Sequence, residues 1–310
     1  MTDIQKLPNS QLILKREDLS AYGSHKSRYL ELKLSRLKER GIEQVVVATT
    51  GNAGITASRL GKKMGIKIFC LMSDRGDRSK AAEIAASGGF LVLSPTPVRF
   101  AKELFRQFKV PLLRSSRDPE AIEGYKSLGR ELMEQVPNCD AIVNFATSGA
   151  SSLGIMKAYE EQGKNLPALH LVQSGKSCSL VRALHPEQVA DTADDREIGR
   201  ADTPLRKQLL RYLTESSGDA HFVRREQIEL ARQQLADQHI ETSWEGCASF
   251  AVGAHISANY HSPVIILSGH LWPRQEPVQA HLCNSLEELH ELWKIFTTTE
   301  HETMKRTARN

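Results

Sequence analysis

Short apolar runs alternate with helix-spaced segments along most of this chain, and that alternation restricts the fold more than any other feature. Residues 45–48 (Val-Val-Val-Ala), 66–72, 90–93, 141–146, 169–173 and 264–267 are short, apolar runs of strand length. Between them, Leu30, Leu34 and Leu37, then Ile55, Leu60 and Met64, recur at helical spacing. Residues 78–87, 97–108 and 119–135 read as further helices. A strand covered on both faces loses the polar alternation of a half-exposed one, because each face needs apolar side chains. The pattern predicts an α/β fold with a mostly parallel sheet covered by helices on both sides. At 310 residues, about two domains are expected.

Charge and cysteine usage exclude several classes. The 41 basic and 37 acidic residues leave a net charge of +4, too balanced to argue for a nucleic-acid partner. The first residues lack the basic stretch and apolar run of a secretory signal, and no window approaches the ~18 apolar residues of a membrane span. The five cysteines (Cys70, Cys139, Cys178, Cys247 and Cys283) are odd in number, far apart and without a CxxC pair. Disulfide scaffolds and zinc sites are therefore disfavoured, and a cytoplasmic setting is expected. His170, His185, His221, His255, His261 and His281 show no metal-ligand spacing. The polar stretch 185–206 predicts a long loop or lid, and the polar last dozen residues predict a frayed end.

Four segments carry candidate chemistry, each at a strand end or a turn, where open α/β sheets place their ligands. The first is Lys15-Arg16-Glu17-Asp18, followed by Gly23-Ser24-His25-Lys26. A lysine amine forms a Schiff base with a carbonyl cofactor when a turn presents it to a pocket. The second is Thr49-Thr50-Gly51-Asn52-Ala53-Gly54, whose backbone amides at a helix start suit an anion, or whose side chains cap that helix. The third is Thr147-Ser148-Gly149-Ala150-Ser151, where small residues allow close approach of a phosphate, although the Walker lysine and the GxGxxG spacing are both absent. The fourth is Ser268, directly after the run 264–267. Lys15, Arg16, Arg28 and Lys80 are candidates for holding a second anion, or equally for surface charge.

Taken in this order, the segments resemble the pyridoxal-phosphate enzymes of the tryptophan synthase β-like fold (fold type II), the group of threonine synthases, threonine dehydratases and cysteine synthases. Weaker matches agree: Lys80 before its Ala-Ala-Glu, Glu123-Gly124-Tyr125-Lys126-Ser127, and Trp244-Glu245-Gly246. The resemblance spans most of residues 12–272. It departs from the family pattern at His25, where phenylalanine is usual, and at Ser27, where aspartate is common. The phosphate loop has one glycine where three or four are frequent.

The resemblance implies two three-layer α/β/α domains, residues 1–36 with 131–310 as the larger and 37–130 as a smaller, mobile one. It implies pyridoxal 5′-phosphate as cofactor, with Lys26 forming the internal aldimine. Asn52 then faces the cofactor's phenolic oxygen, and Thr147, Ser148, Gly149, Ala150 and Ser151 hold its phosphate. Ser268 faces the pyridine nitrogen, while Thr49, Thr50, Gly51 and Ala53 hold the substrate carboxylate. The implied activity is β-elimination or β/γ-replacement on a small amino acid, in a homodimer. The alternative is an inactive paralogue that binds pyridoxal phosphate or an amino acid as a partner protein.

Overall fold

The computed structural model describes residues 1–175, 178–189, 205–273 and 280–298. They fall into two compact units, Met1–Lys33 with Ser115–Trp272, and Leu34–Arg114 with Pro273–Asn310. In chain order the first half comprises β1 (Ile4–Lys6), β2 (Ile13–Lys15), α1 (Lys26–Glu39), β3 (Gln44–Thr49), α2 (Asn52–Met64), β4 (Lys67–Ser73), α3 (Arg78–Ala86), β5 (Phe90–Ser94), α4 (Pro97–Phe108) and β6 (Leu112–Leu113). The second half comprises α5 (Pro119–Gln135), β7 (Ala141–Phe145), α6 (Ala150–Glu161), β8 (Ala168–Gln173), α7 (Ser179–Leu184), α8 (Arg206–Glu215) and β9 (Asp219–Phe222). It closes with α9 (Arg225–Ala236), α10 (Trp244–Ile256), β10 (Pro263–Ile266), β11 (His281–Leu282) and α11 (Leu286–Thr298).

The first unit's sheet runs β1-β2-β10-β7-β8-β9. β1 is its antiparallel edge, and the other strands are parallel. Side chains alternate across a strand with period two, and here both sets are apolar. Ile13, Ile142, Val264 and Ile266 face Leu128, Leu132 and Ile155 of α5 and α6. Leu14, Val143 and Ile265 face Cys247, Ala248, Phe250 and Val252 of α10. Glycines let α5 and α6 approach closely: a Cβ on Gly154 would lie 2.4 Å from that of Tyr125, and one on Gly129 2.7 Å from that of Ala158.

The second unit's sheet runs β11-β5-β4-β3-β6, with every pairing parallel. Val46, Phe69, Leu71 and Val92 pack against Phe100 and Leu104 of α4 and against Leu289, Trp293 and Phe296 of α11. β11 pairs with β5 through His281 and Leu282, so this late segment belongs to the second sheet. The expected division had put residues 131–310 together and 115–130 with the smaller part. A two-residue strand has no period to read, and α5 crosses the expected boundary at 131 as one uninterrupted helix.

α4 covers 97–108 and α5 covers 119–135, the residues whose spacing predicts them. Of the expected loop at 185–206, residues 186–189 form a 3₁₀ turn, while 190–204 lie outside the described residues, as do the last twelve. Among the described residues no helix is long and apolar enough to cross a membrane.

Candidate active site

Lys26 is the first residue of α1, delivered there by a tight turn after β2. Gly23 donates to Ser20 O, and the Ser20 hydroxyl both accepts from Ser24 N and donates to Ser24 O. Gly23 adopts φ +81°, a left-handed conformation that disfavours a side chain, and a Cβ there would strike the Trp272 ring at 2.4 Å. The turn is stitched to the segment that follows β10. Ser24 and Gly269 form a β-bridge, His270 N donates to Gly23 O, and His25 N donates to Ser268 O. Gly269 O in turn accepts from Ser243 N and the Thr242 hydroxyl. The His25 ring lies between the two candidates: Nδ1 is 2.7 Å from Ser268 O and Nε2 is 2.6 Å from Lys26 Nζ.

The turn 147–151 connects β7 to α6. Gly149, at φ +74°, is the N-cap residue and offers no side chain to the helix start. Ser148 Oγ lies 3.4 Å from Ala150 N. Asn144 Nδ2 donates to Ser151 Oγ at 3.1 Å and Ser152 Oγ at 2.9 Å. A hydroxyl that accepts one hydrogen bond still carries its own proton, so Ser151 retains a donor. β2, β10 and β7 are adjacent and parallel. Topology therefore brings Lys26, Ser268 and the 147–151 turn to the carboxyl ends of three neighbouring strands, the ligand-binding end of such sheets.

Thr49, Thr50, Gly51, Asn52 and Ala53 lie in the second unit, at the carboxyl end of β3. Thr49 Oγ1 accepts from Gly51 N and Gly54 N, which shapes the turn. Gly51 has φ +137° and sits under the Lys80 stem, whose Cδ would be 2.3 Å from an added Cβ. Asn52 Oδ1 is buried with no hydrogen-bond partner among the described residues.

Three of the four cations proposed for a second anion are committed to carboxylates instead. Lys15, fully buried, donates at 2.6 Å to each of Thr2 O, Glu131 Oε1 and Gln135 Oε1. Arg28 pairs with Glu17 and Glu131 at 2.6 Å, and Arg16 with Asp18 at 2.9 Å. Burial holds the Lys15 ammonium below its usual range, against the opposing pull of Glu131. Burial alone would raise the Glu131 carboxyl, but the Lys15 hydrogen bond and the Arg28 charge outweigh it and hold it low. Sequence shows these charges but not their partners, because Lys15 and Glu131 are 116 positions apart.

A separate histidine pair joins β8 to β9. His170 Nδ1 is 2.9 Å from His221 Nε2, and His170 Nε2 is 2.7 Å from Tyr260 OH. Burial, then the neighbouring His221, push His170 down to about 4, and burial also lowers His221 despite the Asp219 carboxylate. An unfolded histidine takes up its proton near pH 6.5, which the folded protein resists. Stability is therefore fully present above about pH 6.5 and is lost progressively towards pH 4, by about 3 kcal/mol from His170 alone. Denaturant unfolding at pH 7 and pH 4.5 checks this. His170→Gln is expected to flatten the dependence, and an unchanged slope would refute the assignment.

The family model for pyridoxal-phosphate dependent enzymes matches residues 1–269. A threonine synthase of Methanosarcina acetivorans is 28% identical over 253 residues, covering 75% of this chain and 62% of its own length. The chain thus spans less than two thirds of that relative. Serine racemase of Rattus norvegicus is 24% identical over 246 residues, covering 73% of this chain and 71% of its own. A solved O-ureido-L-serine-bound mutant of O-ureido-L-serine synthase superposes with a TM-score of 0.75 at 16% identity, covering 87% of each chain. A pyridoxal 5′-phosphate-dependent aspartate racemase gives 0.71 at 21%, covering 86% of this chain and 89% of its own. The fold is thus the tryptophan synthase β-like one.

The residues present fit a phosphorylated aldehyde. The α6 N-terminus, with serine hydroxyls on its first turn, is a donor set suited to phosphate despite its single glycine. Sequence reading gave no role to His25, although an imidazole beside the candidate lysine was itself the signal.

Proposed function

Because the chain belongs to the family of pyridoxal-phosphate dependent enzymes, we propose that Lys26 carries the cofactor and that the enzyme performs β-elimination or β/γ-replacement on a small amino acid. The observation that carries this reading is the stitching of the Lys26 turn to Ser268 at the carboxyl ends of β2 and β10. Bound pyridoxal phosphate supplies an electron sink for charge developing at the substrate α-carbon. Lys26 Nζ would hold the cofactor and, as a free amine, would take the α-proton of the substrate. The amides of Thr147, Ser148, Gly149, Ala150 and Ser151, with their hydroxyls, bind the phosphate. Thr49, Thr50, Gly51 and Ala53 hold the substrate carboxylate, and Asn52 the phenolic oxygen. Ser268 would offer the ring nitrogen a neutral partner, which would keep the sink mild. A mild sink suits reactions in which a leaving group removes the developing charge.

Four of the relatives are threonine synthases, which supports replacement, whereas one is a serine racemase, whose named reaction is neither elimination nor replacement. The purified protein is expected to be yellow, and borohydride is expected to bleach it and fix a phosphopyridoxyl group on Lys26. Screening small amino acids should then yield a 2-oxo acid or a substituted product. Inorganic phosphate should compete with a phosphorylated substrate and leave a hydroxy amino acid unaffected. A colourless protein that takes up no added pyridoxal phosphate would sink the proposal.

A further inference from the structure

We infer that His25 is a positioning residue for the Lys26 amine: its imidazole fixes Nζ in one place and accepts a hydrogen bond that favours the protonated amine. This rests on the reading of Lys26 as the cofactor-bearing lysine. Ser268 O, 2.7 Å from His25 Nδ1, can only accept, so Nδ1 carries the ring proton and Nε2 presents a lone pair. Lys26 Nζ lies 2.6 Å from that lone pair. The same carbonyl accepts from the His25 backbone N–H at 3.0 Å, so His25 is held by main chain and ring together. Its ring packs on buried Tyr125, with centroids 5.6 Å apart. Among the described residues, the other charge acting on it is Arg28, neutralised by Glu17 and Glu131.

Burial, followed by the Lys26 charge, holds the imidazole well below its usual range. It therefore stays neutral and keeps its lone pair through neutral pH. An ammonium donates more strongly than an amine, so this acceptor makes Lys26 more basic when it takes a proton from the substrate. The phenylalanine expected at this position from the family pattern has no acceptor to offer.

Trace acetylation of the full-length, cofactor-stripped chain across pH reads the Lys26 protonation midpoint by peptide mass. In His25→Phe the midpoint should fall by about one pH unit, a tenfold change in the protonation equilibrium. His25→Gln, which keeps an acceptor, should restore at least half of that shift. Circular dichroism establishes that the variants are folded, and His25→Leu carries the same comparison if the phenylalanine variant is not. A His25→Phe midpoint within about 0.2 of a unit of wild type overturns the inference. Equal shifts in the Gln and Phe variants also overturn it, because they indicate lost packing rather than a lost acceptor. Borohydride trapping of pyridoxal phosphate on the wild-type chain separates the two failures. No phosphopyridoxyl mass on Lys26 overturns the cofactor reading and this inference with it, whereas trapping with an unmoved midpoint overturns this inference alone.

Discussion

Replacing Lys26 with alanine is expected to abolish covalent retention of pyridoxal phosphate and to lower turnover by about 10³-fold or more, the combined loss of anchoring amine and general base. The fold should survive. The N-terminus of α1 is held by the Ser24 hydroxyl, and its turn by the bridge to Gly269, neither of which uses the lysine side chain. Intact mass after borohydride treatment, the visible spectrum and steady-state kinetics give three independent readings. A variant that still fixes the phosphopyridoxyl group, on any other lysine and with wild-type turnover, would remove Lys26 from the site. Lys15, the buried lysine of the same motif, is no substitute, since its three short hydrogen bonds commit it to Thr2, Glu131 and Gln135.

That commitment sets up the second large effect. Lys15→Met keeps the length of the side chain but removes the charge that faces Glu131, leaving one carboxylate fewer compensated in a buried cluster. Removing one partner of a buried ion pair costs about 3–5 kcal/mol, because the remaining charge stays desolvated. A drop of that size in denaturant stability is expected. The double variant Lys15→Met, Glu131→Leu should recover at least half of it: Arg28 then keeps Glu17 as partner, at 2.6 and 2.8 Å, and no charge is stranded. If Lys15→Met costs less than about 1 kcal/mol, the cluster is wetter than its geometry indicates.

The layers of the fold were legible because burial on both faces writes itself into sequence as short apolar runs. Those at 45–48 and 264–267 became β3 and β10 within a residue or two. The helices at 97–108 and 119–135 were legible because an amphipathic period needs only local information. Both signals arise within about a dozen residues. The order of the candidate segments was equally visible, and with it the family.

What sequence could not carry was pairing across distance. His25 meets Ser268 across 243 positions, and Lys15 meets Glu131 across 116. The attachment of β11 and α11 to the second sheet rests on a two-residue strand and on aromatic packing of Trp293 and Phe296 against Phe69. By itself, then, the chain determined its alternating layers, which follow from local periodicity, while its candidate lysine followed from the resemblance carried by the order of its segments. Only the tertiary structure decided which charges are consumed in ion pairs and which ring nitrogen faces Lys26, because hydrogen bonds between distant segments leave no periodic trace.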